Sequence, residues 1–417
     1  MYDTSCPEVF VHARVREDPR AVARLDRMLA AMKAARVVEV DDDALAEVVR
    51  QRGWDRPART GQYRMTGGPT LIFSTFRWAS EEEMGALAAQ YPALRRGMLL
   101  GRAPWGLRDH HEIKRTCGSV CQSAWEIHCA YGCLHACDYC HIPPFLNIML
   151  DLEELAARVR AFAETIPDQK LFKFDNQTDT LTLEPEYGAS EIMVRTFADL
   201  PDRYLMLYTK SDNVDHLLEL DHHGHTLISW SMNPQTVAER IEKNTPSTGR
   251  RIRAIERCQR AGYRPRVRIS PMCPVKNWRE AYAALVDELL ARTTPDVISV
   301  DVIGWMHPEQ MMDALDLSLF DDTWADTVRR LAREGFRTVG KHLFPHDMRA
   351  QLLRFVIERI RGADPGQPVS LCNETPEMWR ELADVLDMTP DRYACCCGPD
   401  SVPGHPFLRP PQGLSNE

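Results

Sequence analysis

No run of eighteen apolar residues occurs in the 417-residue chain, which excludes a membrane-spanning helix. The opening Met1-Tyr-Asp-Thr-Ser-Cys-Pro7 has neither a basic n-region nor an apolar h-region, so no secretory leader is expected. The expected location is the cytoplasm, where thiols stay reduced. Excess positive charge is missing too. Against 60 Asp and Glu there are 51 Lys and Arg, a formal net charge of −9. That balance disfavours a broad nucleic-acid footprint and leaves room only for a local basic groove. Cysteine, by contrast, is plentiful, and thirteen in a reducing compartment point to metal or thiol chemistry rather than a disulfide framework. Hydrophobic residues at 44% and charged residues at 27% describe an ordinary globular chain.

Three of the cysteines lie in Gly132-Cys-Leu-His-Ala-Cys-Asp-Tyr-Cys140 with the spacing C-x3-C-x2-C. Thiolates from Cys133, Cys137 and Cys140 can each take one iron of a [4Fe–4S] cluster and leave the fourth iron open. Two other chemistries fit parts of the stretch. Cys137-Asp-Tyr-Cys140-His141 matches the C-x-x-C-H pattern of covalent haem attachment, a modification of exported proteins. A structural zinc ion would use the same cysteines with His135 or His141. Neither explains this spacing directly after a strand at the head of βα repeats. Cys129 reads as a buried thiol.

Around this loop the chain divides into three parts. Residues 1–115 read as an N-terminal α/β unit, with helices at 18–35 and 42–50, a strand at 70–76 and a capped helix opening at Ser80-Glu-Glu-Glu83. Residues 105–115 read as a linker. Within 116–305, strands at 124–128, 170–174, 205–209, 226–231, 265–269 and 297–302 alternate with helices or connections, among them 151–165 and 247–261. That alternation predicts a full or partial (β/α) barrel of about six parallel strands, with polar residues gathered after the strand ends. Residues 306–417 read as a C-terminal helical extension carrying Cys395-Cys-Cys397, with helices at 322–334, 347–361 and 376–386 and a loose tail.

The cysteine spacing resembles the signature of the radical S-adenosylmethionine (SAM) superfamily. The resemblance implies an enzyme in which SAM chelates the open iron, is cleaved by one electron, and yields a radical, usually 5′-deoxyadenosyl. It also implies a reducing partner such as flavodoxin or ferredoxin. Downstream, Tyr208-Thr-Lys210, Ser229-Trp-Ser231-Met-Asn233, Asn244-Thr-Pro-Ser247, Arg251, Ala261-Gly-Tyr263, Ile269-Ser-Pro271 and Asn373-Glu-Thr-Pro-Glu-Met-Trp379 resemble the spore photoproduct lyase branch. By that resemblance Lys210 meets the SAM carboxylate and Ser231 its ribose, with Asn233 and Tyr139 as further cofactor contacts. Two departures stand out. The repair lyase returns hydrogen from a cysteine after its second barrel strand, where this chain has Asp175-Asn-Gln-Thr-Asp179. The family tyrosine after the third cluster cysteine is here His141. Asp175, Asp179 and His141 are therefore candidates for SAM or substrate chemistry in their own right.

Cys395, Cys396 and Cys397 admit three readings: buried hydrophobes at a seam, a second cluster or zinc site with Cys372, or ligands for a soft substrate. Cys117-Gly-Ser-Val-Cys121 is a further pair that could join the same site. Trivalent arsenic suits a thiol trio. In its cysteine surplus and missing lyase groups the chain is similar to radical SAM enzymes of arsenical biosynthesis, such as the arsinothricin pathway, which move the 3-amino-3-carboxypropyl group of SAM onto arsenic. In the arginine run from Arg250 to Arg268, the residues Arg250, Arg253, Arg257 and Arg260 share a helix face that reads as solvated, and Arg268 at a strand end is placed in the pocket. Three functions follow: a radical SAM enzyme on a small, thiophilic molecule, a DNA photolesion lyase, and a metal-binding protein without catalysis. DNA is the less favoured partner and a small molecule the expected one. If the cluster reading is right, replacing Cys133, Cys137 or Cys140 by Ala abolishes the iron–sulfur absorbance of reconstituted protein, and a triple variant that kept a full cluster would overturn it.

Overall fold

Strands buried on both faces are written as near-continuous apolar runs, and this chain has several. Thr226–Ser231, Ile298–Val302 and Phe145–Met149 are buried at every residue. The computed structural model describes residues 1–55, 70–102, 104–141, 145–337 and 342–410, without the side chains of 116 and 117.

The large sheet has eight strands in the order of the chain: β1 Trp105–Arg108, β2 Ala124–Ile127, β3 Leu171–Phe174, β4 Tyr204–Thr209, β5 Thr226–Ser231, β6 Arg264–Met272, β7 Ile298–Val302 and β8 Val369–Leu371. β1 is antiparallel to β2, and every later neighbour is parallel. The sheet order ends at β1 on one side and β8 on the other, which makes this a partial barrel. Helices Leu152–Glu164, Ala189–Ala198, Thr248–Arg260 and Trp278–Arg292 connect successive strands. The helix at 19–30 is shorter than the 18–35 pattern, because it ends at Ala30 and residues 33–34 form a short strand.

β1 and β8 carry the sheet beyond residues 116 and 305. The stretch that reads as a linker is β1 followed by helix His110–Cys117, whose first turn is capped by Asp109 accepting from the His111 N–H at 2.9 Å. A second sheet, in the order Val37–Val40, Val9–His12, Thr70–Ser74, Phe145–Met149 and Ala130–Tyr131, flanks the barrel. Its last two strands come from either side of the cysteines, so the cysteine loop is pinned between the two sheets.

The C-terminal segment is held firmly through residue 410. Its Pro399 carbonyl accepts from the N–H groups of Lys170 and Leu171 at the start of β3, both at 2.8 Å. Arg266, fully buried on β6, donates to the carbonyls of Cys396 at 2.8 Å and Ser401 at 2.6 Å. The segment thereby closes the strand-start end of the barrel and leaves the strand-end side for chemistry; residues 411–417 lie outside the described residues. Each of these charge-assisted bonds contributes about 1.5–3 kcal/mol. Arg266→Ala is expected to raise hydrogen exchange across 394–410 selectively, and unchanged protection there would show that the segment is held by other contacts.

Candidate active site

β2 ends at Ile127 and delivers the cysteine loop. The Asp175 carboxylate anchors its start, accepting from His128 Nδ1 at 2.7 Å, the Cys129 N–H at 2.7 Å and the Gln177 N–H at 2.8 Å. Gly132 then passes against strand Phe145–Met149 with φ +113°, and a Cβ there would come within 2.2 Å of the Phe145 carbonyl oxygen. Only glycine fits that approach. Further on, Ala136–Cys137 pairs antiparallel with Glu242–Lys243, Asp138 forms an ion pair with Lys243 at 2.8 Å, and His135 Nδ1 meets the Asn244 carbonyl at 2.8 Å. Beneath lies Glu242, fully buried, accepting from Tyr139 Oη at 2.5 Å, Asn233 Nδ2 at 3.0 Å and Arg251 Nη1 at 2.7 Å. Burial alone would raise this carboxyl, but Arg251 and Lys210 hold it well below the usual carboxylate range.

Cys133, Cys137 and Cys140 line one cavity of about 240 Å³ at the strand ends, together with Tyr139, Asp179, Lys210 and Trp305. Among the described residues no three His, Cys, Asp or Glu side chains converge as they would around a single ion. A cubane does not require that convergence, because each thiolate takes its own iron. The donor set is soft and buried, as an iron–sulfur cluster needs. Burial pushes the Cys137 thiol up to about 12 even though Lys210 lies near, so metal binding there must displace a proton. Asp179 accepts from His135 Nε2 at 2.9 Å, Thr209 Oγ1 at 2.8 Å and the Lys210 N–H at 2.7 Å. Burial would raise its carboxyl; these bonds keep it below the ordinary value. The Lys210 ammonium sits 5.9 Å from the Tyr139 ring centroid, kept charged against burial mainly by Glu242.

The other candidates divide. Asp175 faces inward, because His128, the Cys129 N–H and the N–H of Gln177 in its own turn occupy both of its oxygens. Ser231 donates to the Ser270 carbonyl at 2.7 Å, and the Asn233 amide is spent on Glu242 and the Pro271 carbonyl, so both fix strand ends rather than line the pocket. His141 lines the cavity at an exposed position. The thiol trio splits: Cys396 Sγ points to the Val267 carbonyl at 3.3 Å, packed with Val297 and Leu408, away from its neighbours. The basic run is largely paired, Arg250 with Asp212, Arg257 with Asp215, Arg260 with Glu256 and Arg264 with Asp296.

Cys395 and Cys397 line a second cavity, also about 240 Å³, with Cys121, Cys372, Arg108, Glu126, Lys173 and Arg268. The side chain of Cys117, the other half of the 117–121 pair, lies outside the described residues. Asn176 lines both cavities. Tyr208, on the wall of the first, has Lys173 Nζ at 4.7 Å and the Arg268 guanidinium at 5.6 Å from its ring centroid. Arg108 Nη1 donates to Cys397 Sγ at 3.1 Å and to Glu126 at 3.0 Å; Arg268 reaches Cys397 Sγ at 3.5 Å and Cys372 Sγ at 3.3 Å. A hydrogen bond with Cys395, then the two guanidinium groups, hold the Cys397 thiol well below its ordinary value against burial. The sequence reading passed over Arg108, Glu126, Lys173 and Tyr393. Lys173 carried a legible signal, a lone charge inside Leu-Phe-Lys-Phe.

A partial barrel of parallel strands, with three thiols on the loop after its first parallel strand and a pocket at the strand ends, is the architecture of a radical SAM protein. Residues 113–306 match the family model described as spore photoproduct lyase. The spore photoproduct lyase of Clostridium acetobutylicum is 22% identical over 238 residues, 55% of this chain and 70% of the relative. That of Bacillus subtilis is 26% identical over 175 residues, 40% of this chain and 51% of the relative, so the match spans about half of that protein. Among solved structures, a spore photoproduct lyase mutant with bound AdoMet and dinucleoside spore photoproduct superposes with a TM-score of 0.60 at 17% identity, covering 89% of this chain and 99% of the other. The enzyme complexed with dinucleoside spore photoproduct gives 0.57 at 15%, covering 88% and 99%. These likenesses show the fold. Over residues 113–306, just under half of its length, the chain thus resembles the spore photoproduct lyase branch of the radical SAM enzymes.

Breaking the buried pair beneath the loop leaves an uncompensated charge. Arg251→Ala is expected to cost about 3–5 kcal/mol in denaturant unfolding and to lower the iron bound per chain on reconstitution. A stable variant with full iron content would show that the loop does not depend on the pair.

Proposed function

We propose that the chain holds a [4Fe–4S] cluster on Cys133, Cys137 and Cys140, binds SAM beside it, and acts on a small, thiophilic molecule in the adjoining cavity. The observation that carries this reading is the pair of cavities meeting at Asn176, one with the three loop thiols and the other with Cys372, Cys395 and Cys397. When bound, the cluster supplies one electron to the sulfonium of SAM and so opens a carbon–sulfur bond to a carbon radical. Lys210 offers the charge that meets the SAM carboxylate. Asp179 Oδ1, with one donor among the described residues, keeps a lone pair for the SAM amino group. Ser231 and Asn233 act through the ends of β5 and β6, which they tie together. Tyr139 and Trp305, in edge contact at 6.2 Å, give the pocket an apolar wall that keeps water from the reacting centre.

The finer reading is transfer of the 3-amino-3-carboxypropyl group of SAM to trivalent arsenic, with formation of a C–As bond. The thiols of the second cavity and the lack of a cysteine in residues 175–179 support it. A second reading, photolesion repair through a 5′-deoxyadenosyl radical, is supported equally by the family match. Fragment analysis separates the two. With reconstituted protein, SAM and a strong reductant under anaerobic conditions, 5′-methylthioadenosine that rises on adding arsenite is the expected product of transfer. 5′-Deoxyadenosine that rises on adding thymine photodimer, with no response to arsenite, would replace the first reading by the second.

A further inference from the structure

The second cavity has a charge balance that its own walls do not close. Glu126 lies against two of the three cations, Arg108 at 3.0 Å and Lys173 at 3.7 Å, yet brings only one negative charge. Arg268 faces only sulfur among its hydrogen-bond partners in the described residues. The nearby Asp301 is bonded to Ser270 Oγ at 3.1 Å and Asn373 Nδ2 at 3.4 Å, and burial pushes its carboxyl up to about 7 in spite of Arg268. It therefore carries only part of a counter-charge at neutral pH.

Three polar atoms around this cavity are buried without a partner among the described residues: Arg268 Nε, Tyr393 Oη and Asn176 Oδ1. Arg268 is 8% exposed and Tyr393 9% exposed, so bulk water does not serve them. A trapped water can satisfy a hydroxyl, but it does not neutralise a guanidinium. With Glu126 and the Cys397 thiolate set against Arg108, Lys173 and Arg268, donors from β6 and from the C-terminal segment thus meet around one small space with one positive charge in surplus.

We propose that this cavity is the substrate pocket and takes a small monoanion, seated on Arg268 and Tyr393 with its reacting atom between Cys397 Sγ and Asn176. Charge-assisted N–H···O bonds to such an anion are stronger than the N–H···S contacts Arg268 now makes. Sulfur is left beside the reacting atom, which favours an anion carrying a soft centre. The assignment rests on the radical SAM reading only for the side from which the radical arrives, through the shared wall at Asn176 and Tyr208. Binding itself requires no cluster.

Paired alkylating agents test it on the reconstituted holoprotein. Iodoacetate and iodoacetamide share a leaving group: the thiolate sulfur forms an S–C bond, the C–I bond breaks and iodide departs. An isolated thiolate repels the anionic reagent and reacts at least as fast with the neutral one. In this pocket the preference is expected to invert, with Cys397 modified about tenfold faster by iodoacetate and the rate saturating with reagent, as followed by peptide mass spectrometry. Arg268→Lys should keep part of that preference and Arg268→Gln should lose it with the saturation, at unchanged circular dichroism. Faster or equal reaction with iodoacetamide, or an unlabelled Cys397 in folded protein, overturns the proposal. Labelling of Cys133, Cys137 and Cys140 would instead count against the cluster, and it is scored separately in the same digest.

Discussion

The ion pair of Glu242 with Arg251, 2.7 Å apart and fully buried, is the constraint on which the site depends. Two charges removed from water repay their desolvation only when every remaining hydrogen-bonding position is filled. Here they are. Glu242 also receives Tyr139 and Asn233, while Arg251 donates to the carbonyls of Pro246 at 3.0 Å and Ser231 at 3.1 Å. One network therefore reaches the cysteine loop through Tyr139, the end of β5 through Ser231 and Asn233, and the helix after β5 through Arg251. It ties these three chain segments to one another.

The same carboxylate shapes the field in the pocket. Lys210 stays charged at the strand end chiefly because Glu242 lies near, so the residue that holds the loop also keeps a cation ready for a carboxylate ligand. Asp179 links the far side, joining His135 of the loop to Thr209 and Lys210 at the end of β4. Structural and chemical roles are thus carried by the same few buried groups. A change meant to alter cofactor binding at Tyr139, Asn233 or Asp179 will also loosen the loop.

Much of this was legible in the sequence, for physical reasons that also mark its limits. The central strands were visible because burial on both faces demands apolar runs. The edge strand at 105–108 was not, since half-buried Trp-Gly-Leu-Arg lacks such a run and β-character there comes from pairing with β2. Residues 145–149 drew no assignment from the sequence, although the structure pairs them with 70–74. At the site, spacing alone put Cys133, Cys137 and Cys140 together, and Tyr139, Asp179 and Lys210 share their cavity. Asp175, Ser231 and Asn233 turned inward because a polar residue after a strand serves a neighbour's backbone as readily as a ligand, and sequence does not distinguish the two. The trio at 395–397 divided for the reason that adjacent side chains on an extended segment alternate.

That alternation has a consequence for the chemistry. With Cys396 committed to the barrel wall, the thiols of the second cavity come from separate segments: Cys121 before β2, Cys372 after β8, and Cys395 and Cys397 from the closing segment. Three stretches remote in sequence must be folded together before the soft lining exists, and Arg108, Lys173 and Arg268 enter it from β1, β3 and β6. A composite pocket of this kind is complete only when the C-terminal segment is seated. Arg266, which holds that segment to β6, thereby joins the stability of the tail to the shape of the pocket in which the radical would find its target.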